Sequence, residues 1–293
     1  MWPRFSLRAQ PCHKIERVPR VLILGCGYTG QRLARSLLKQ GLPVIATTRN
    51  PAALASLAEA GVKVVRLDLA ADPASLANLN GLAGDDTHVL HSIPPIPSAS
   101  GVAEPTPRLL EALAGRVARM VYLSTTGVYG STRDVDERTP PAPRTERETL
   151  RLRAEQAVIG ASTSSLILRP AAIYGPGRSV HVSLQAGKFR LWGKGENFVS
   201  RIHVDDLAAH VEAALFSGVT GAFPVADEES CTSREIAQFC SRLLGLEMPP
   251  EAHGAELGET RQADRRVDGS AIRRALRIAL RYPSYRVGIP ASL

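Results

Sequence analysis

One stretch constrains this chain more than any other: Val21-Leu22-Ile23-Leu24-Gly25-Cys26-Gly27-Tyr28-Thr29-Gly30. An apolar run stops at a G-x-G-x-x-G pattern and passes straight into residues with helical spacing, Leu33, Leu37 and Leu38, closed by Gly41. The pattern gains meaning from a strand before it and a helix after it. Gly25 permits a tight turn, Gly27 lets backbone approach a pyrophosphate, and Gly30 lets helix and strand pack closely. The helix start offers unpaired N–H groups and a partial positive charge to phosphate. The stretch predicts a dinucleotide cradle, with Gly25, Gly27, Tyr28, Thr29 and Gly30 as its contacts. An ordinary glycine turn is the alternative.

The segments beyond the cradle fit it. Short β-branched runs (21-VLIL, 43-PVIATT, 62-VKVVRL, 87-THVLHS, 117-VARMVYLS, 165-SLILRP) alternate with segments of helical spacing through the first 170 residues. Strand–helix alternation implies βαβ units and a parallel sheet covered on both faces. The expected fold class is α/β, a doubly wound parallel (Rossmann) sheet with a smaller C-terminal lobe. The expected organisation is a flexible basic arm at 1–19, a dinucleotide-binding core at 20–174 and a substrate lobe at 175–293. Residues 203–228 are a stretch that can return to the core. With 44% apolar residues a large core is within reach, and no run approaches the ~20 apolar residues of a bilayer span.

The N-terminus, MWPRFSLRAQPCHKIERVPR, is basic and broken by prolines, and lacks the apolar centre of a secretory signal. The cysteines, Cys12, Cys26, Cys231 and Cys240, form no CxxC pair. Reduced thiols and a cytoplasmic location are expected, with no zinc site.

The second strand bears on which dinucleotide binds. An acidic residue about 20 positions beyond the glycines would bond a ribose hydroxyl. The segment 46-ATTRNP has none and offers Thr48 and Arg49 instead. A guanidinium forms a charge-assisted fork with a phosphate, whereas a carboxylate repels it. NADP(H) is therefore expected over NAD(H). Asp68, ending the third strand, reads either as an adenine contact or as a cap for the next helix.

A net charge of +8 calls for anionic partners. Its excess is mostly Arg near the C-terminus, without the aromatic-rich strand or zinc-finger spacing of a nucleic-acid binder. A solvated face or a site for a small anionic molecule accounts for it, so neither nucleic acid nor membrane is expected as a partner.

At 120-MVYLSTTGVYG-130 the chain resembles the extended short-chain dehydrogenase/reductases, the NAD-dependent epimerase/dehydratase group. The segments 168-LRPAAIYGPGR-178, 200-SRIHVDDLAAH-210 and 281-RYPSYRVGI-289 agree with that family in the same order. The resemblance implies that Thr125 bonds the substrate oxygen where charge develops. It places Ser92 and Pro170 beside the cofactor. It also implies a Tyr-x-x-x-Lys pair on the following helix, the Tyr as acid or base and the Lys holding ribose and lowering the Tyr pKa.

Here the sequence departs from the family. Counting back from Ala154-Glu155 puts Arg151 at the Lys position and Arg147 at the Tyr position, and no Tyr in the chain has a Lys four residues on. Arg151 can contact ribose or phosphate. Arg147 keeps its proton at any working pH and cannot shuttle one.

Candidate proton donors are Tyr129 and Tyr174, in loops the resemblance sets near the substrate, and His91, ending the fourth strand. For each, packing is the alternative reading. His203 and Asp205 read as structural, with Asp205 capping a 206–216 helix and His203 bonding a loop. In the lobe, Arg178, Arg201, Arg265 and Arg266 are candidates for an anionic substrate, a nucleotide sugar or another phosphorylated compound. No GxSxG or HExxH element appears. Two functions remain in view: an oxidoreductase or epimerase-type enzyme with a non-standard proton donor, and a catalytically inactive NADP-binding sensor or assembly factor. A homodimer stays open.

Overall fold

The computed structural model describes residues 18–98, 101–161, 164–252 and 263–293. Most of the expected N-terminal arm, with Cys12, lies outside the described residues. Seven strands form the central sheet: β1 (Arg20–Leu24), β2 (Val44–Thr48), β3 (Lys63–Arg66), β4 (Thr87–His91), β5 (Arg119–Leu123), β6 (Ser164–Pro170) and β7 (Gly221–Val225). Their spatial order is β3-β2-β1-β4-β5-β6-β7, and every neighbouring pair is parallel. The order reverses between β1 and β4. In open α/β sheets ligands bind in the crevice at that point, outside the carboxyl ends of the strands.

Near-continuous apolar strands follow from burial on both faces. Val21 through Leu24 are all fully buried. Alternate residues serve opposite cores: Val21 and Ile23 join Leu33, Leu37 and Val211, while Leu22 and Leu24 join Tyr122, Val158 and Ile167. The first core is covered by α1 (Tyr28–Lys39). The α2 helix (Ala55–Glu59) is a short link before β3. Two helices, α3 (Thr106–Ala112) and α4 (Glu146–Gly160), cover the second core.

Local signals set the helix ends. Leu33, Ala34 and Leu37 form the buried stripe of α1, and Gly41 at φ +74 turns the chain out of it. The Thr145–Glu148 capping box starts α4: Thr145 Oγ1 accepts from Glu148 N–H at 3.2 Å, and the Glu148 carboxylate accepts from Thr145 N–H at 3.1 Å.

The remaining helices are α5 (Val180–Gln185), α6 (Val204–Leu215), α7 (Ser233–Leu244), α8 (Ser270–Leu276) and α9 (Tyr285–Gly288). Of these, α6 packs across α1 and leads into β7, so 203–228 is part of the sheet layer. A lobe core around Tyr174, Ile236 and Tyr285 gathers α5, α7 and α9.

Residues Pro73–Leu79 coil as 3-10 helix. The α8 helix ends at Leu276, because Arg277 turns left-handed at φ +55. Among the described residues, no helix is long and apolar enough to cross a membrane.

Candidate functional site

The glycine loop sits at the reversal point. Gly25 has φ +81, and a Cβ on it would lie 2.9 Å from Ile93 Cγ1, so only glycine fits between β1 and the chain leaving β4. Its N–H donates to Thr47 Oγ1 at 3.0 Å. Ser92 Oγ donates to Gly25 O at 2.7 Å and fixes the loop from the β4 side. Ser92 therefore supports the cradle from behind. Gly27 is open, with nothing closer than 4.0 Å to an added Cβ. It also caps α1 without a side-chain bond, and no acidic residue stands in the first turn. The orphan N–H groups of that turn, which includes Tyr28 and Thr29, remain available to an anion. Gly30 packs on Ile23 as its role requires, a Cβ there meeting Ile23 Cγ2 at 3.1 Å.

At the end of β2, Thr48 Oγ1 is turned to the backbone of Asn50, 3.2 Å from its N–H. Arg49 is exposed and makes no ion pair among the described residues. Asp68 accepts from Ala71 N–H at 3.1 Å and lies 3.9 Å from Arg66. One carboxylate oxygen thus caps the turn after β3.

Across the crevice stands Thr125, half-buried at the end of β5. Its Oγ1 accepts from Gly127 N–H at 3.1 Å and starts the 3-10 turn Thr126–Tyr129. Because that bond uses a lone pair, the hydroxyl proton stays free to donate. Arg151 reaches under the same place. Its guanidinium donates to Tyr122 Oη at 2.8 Å, Leu123 O at 3.0 Å, Ser124 O at 3.2 Å and Ile93 O at 3.5 Å. It ties the ends of β4 and β5 together, with most of its donors committed. Arg147 is exposed on the first turn of α4. Pro170 is buried where β6 ends.

The three candidate proton donors are held elsewhere. His91 is 1% exposed, its Nε2 2.8 Å from Thr106 Oγ1, and burial pushes its pKa down to about 3. It stays neutral at any working pH. Tyr129 is fully buried, its hydroxyl 3.0 Å from Arg169 Nη1, and burial raises its pKa against the opposing pull of Arg169. Tyr174 is fully buried and donates to Ser284 O at 3.2 Å, its pKa raised by burial. All three pack rather than face the crevice.

The arginines divide. Arg201 is buried and donates to Val199 O at 2.7 Å and Cys231 Sγ at 3.2 Å. Arg265 is buried and clamps the carbonyls of Thr126, Gly130 and Thr132, so it holds the Thr125 loop from below. Arg266 lies 3.5 Å from the centre of the Phe198 ring and 3.5 Å from Asp134. Only Arg178 of the candidate substrate set is exposed without an ion pair among the described residues. It lies 5.3 Å from the centre of the Tyr28 ring, and the Tyr28 hydroxyl donates to Pro176 O at 3.0 Å.

His203, rather than Asp205, occupies the N-cap of α6: its Nδ1 accepts from Asp205 N–H at 3.2 Å. Asp205 falls inside the first turn and pairs with Arg32 at 2.8 Å, joining α6 to α1. The far side of the His203 ring meets Ser292 Oγ at 3.2 Å.

One group gives almost no signal in the sequence. Glu155 and Arg169 form a buried, two-pronged ion pair at 2.6–3.2 Å, with Ser124 Oγ donating to Glu155. With Tyr129 they make a polar spine beneath the Thr125 loop. Its only trace along the chain is an Ala-Glu pair and an Arg before Pro170.

Residues 21–223 match the family model described as NAD dependent epimerase/dehydratase family. The chain is 31% identical over 255 residues to the 2-alkyl-3-oxoalkanoate reductase of Stenotrophomonas maltophilia (strain K279a), covering 75% of this chain and 74% of that one. Its fold is similar to a functionally unknown conserved protein from Silicibacter pomeroyi DSS, at TM-score 0.77 and 30% identity over 94% of this chain and 98% of that one. It is similar in fold to MoeE5, solved with UDP-glucuronic acid and NAD, at TM-score 0.75 and 22% identity over 93% and 97% of the two chains.

Proposed function

The chain belongs to the NAD-dependent epimerase/dehydratase family, and from that premise we propose that it is an NADP(H)-dependent oxidoreductase or epimerase-type enzyme acting on a small polar substrate. The observation that carries this reading is the crevice between β1 and β4, with an open glycine loop, a helix start without a side-chain cap and an exposed Arg49 that makes no ion pair among the described residues. The loop from Gly25 to Gly30 would hold the pyrophosphate, and Arg49 the phosphate on the adenosine ribose. Bound there, the nicotinamide supplies or accepts hydride. Thr125 then donates its free hydroxyl proton in a hydrogen bond to the substrate oxygen, where negative charge grows. Arg151 sets the spacing of the β4 and β5 ends that flank the reacting groups.

The reductase from Stenotrophomonas, by its name, acts on an oxo acid. That name supports a carbonyl substrate carrying a carboxylate, and Arg178 is an exposed cation for the acid group. Nucleotide sugars are the second substrate class, supported by the ligand named with MoeE5.

The placement of His91, Tyr129 and Tyr174 favours a second reading, a non-catalytic NADP-binding sensor. None of these groups offers a titrating proton at Thr125. General acid or base help is worth ~10²–10⁴-fold, so a slow enzyme working through hydrogen bonding and proximity, with water giving the proton to the reduced oxygen, is compatible with its loss. NADPH oxidation against a panel of oxo acids, aldehydes and sugar nucleotides tests the two. Turnover that falls in Thr125→Ala while NADPH affinity holds supports the enzyme. NADPH binding without turnover on any of them, together with a partner captured only in one nucleotide state, supports the sensor.

A further inference from the structure

Just beyond the carboxyl end of β7 stands Asp227, which the chemistry at Thr125 does not use. It is 4% exposed, and its backbone N–H donates to Arg201 O at 2.7 Å. Both carboxyl oxygens are buried and accept no hydrogen bond of normal geometry. Buried polar groups are otherwise satisfied almost without exception, so such a carboxyl calls for a partner. Burial pushes its pKa up to about 8. The charges of Arg201 and Arg273 and a weak backbone contact from Glu229 pull it down, and the Glu229 carboxylate pushes it up.

Asp227 lines a cavity of about 440 Å3. Val135 and Val267 give it an apolar wall, and Thr139 and Ser230 give it hydroxyls. Five carboxylates line it (Asp134, Asp136, Asp227, Glu228 and Asp268) against two guanidinium groups, Arg266 and Arg273. On a chain of net charge +8 this is a local reversal of sign. Both arginines are already spent. Arg266 lies on Phe198 and Asp134, and Arg273 donates to Ala226 O at 2.8 Å and lies 3.7 Å from Glu228. Asp136 and Asp268 each use one oxygen on nearby groups, Asp136 for Arg138 N–H and the Thr139 hydroxyl, Asp268 for Ser270 N–H. Carboxyl groups thus outnumber guanidinium groups around the cavity.

Among the described residues no three His, Cys, Asp or Glu side chains close on a metal-sized point. Carboxylates spread around an apolar wall suit an extended organic cation. We propose that this cavity binds a small aliphatic amine, its ammonium group paired with Asp227 and its carbon chain lying along Val135 and Val267. None of its lining residues is one assigned to the dinucleotide or to Thr125, so the proposal is tested apart from the enzymatic reading.

Calorimetric titration of the full chain with putrescine, and with butanediol as its neutral counterpart, tests this. Putrescine binds and butanediol does not. Asp227→Asn weakens putrescine roughly ten- to hundredfold, the size of a lost charged hydrogen bond. At neutral pH, binding to the native chain releases a proton from Asp227, seen as a heat that changes with the ionisation enthalpy of the buffer. That readout needs no variant, and it keeps the test decisive if Asp227→Asn fails to fold. No heat at millimolar putrescine, equal affinity for butanediol, an unchanged affinity in Asp227→Asn, or binding without proton release would each overturn the proposal.

Discussion

At the residue scale, two side chains separate cofactor choice from scaffold. Arg49 makes no ion pair with the rest of the described chain, so its removal leaves the fold intact and would take away the charged contact to phosphate proposed for it. Arg49→Ala is expected to weaken NADP by about tenfold and leave NAD unchanged, as read by paired titrations. Glu155 is the opposite case. Its carboxylate is 1% exposed and neutralises Arg169, which is 7% exposed. Removing one member of a buried pair strands the other, at a cost of about 3–5 kcal/mol. Glu155→Ala should lower the denaturation midpoint accordingly. It should also loosen the Thr125 loop, which rests on Ser124 and Tyr129. The sequence could not announce this pair, because a charged residue on a helix reads as solvent-facing until a partner on another element is seen. Arg201 and Arg265 misled for the same reason: a buried guanidinium bonded to carbonyls has the same letter as one awaiting a substrate.

Elements were legible wherever local chemistry decides. The run from Val21 to Leu24, the glycine loop and the Leu33–Leu37 stripe each carry their own instructions, and the structure places them together at the sheet reversal. The Thr145–Glu148 box starts α4. Thr145→Ala should cost about 1 kcal/mol, measurable by chemical denaturation, because one orphan N–H loses its acceptor. Gly25→Ala tests the loop more severely. A methyl group there meets Ile93 at 2.9 Å in a left-handed conformation that side chains resist. Nucleotide binding should be lost in that variant while the far lobe keeps its native amide protection. Less legible was the cap of α6. An Asp before a helix is the common signal, yet a two-residue shift gives the cap to His203 and turns Asp205 toward Arg32. The end of α8 was hidden too, because its left-handed turn at Arg277 carries no glycine.

The whole molecule binds or refuses protons through its buried groups. Burial lowers the pKa of His88, His91, His181, His203 and His210, with His91 at about 3 and His203 and His210 at about 4. Each takes up a proton less readily in the fold than in the unfolded chain, where protonation comes near pH 6.5. Stability is therefore whole above that pH and is lost as pH falls below it. Asp227 acts with the opposite sign. Its pKa rises from 3.8 to about 8, so its contribution is present at low pH and is lost as pH climbs toward 8. These groups together place maximal stability near pH 6.5. A urea midpoint measured across pH should peak there, and Asp227→Asn should flatten the decline on the alkaline side. At the same scale lies the question of activity. The cradle was readable from one stretch because a parallel sheet has few ways to end at a glycine loop. The fate of the candidate proton donors was not, because it depends on which hydroxyls and rings three distant segments turn toward the crevice.

All of this rests on the crevice between β1 and β4 holding a nicotinamide dinucleotide with a phosphate on its adenosine ribose. Calorimetric titration of the purified, folded chain with NADP and with NAD asks that directly. The account predicts one site per chain and NADP binding at least about tenfold tighter than NAD. Equal affinities would remove the role given to Arg49, and no uptake of either nucleotide would contradict the site itself.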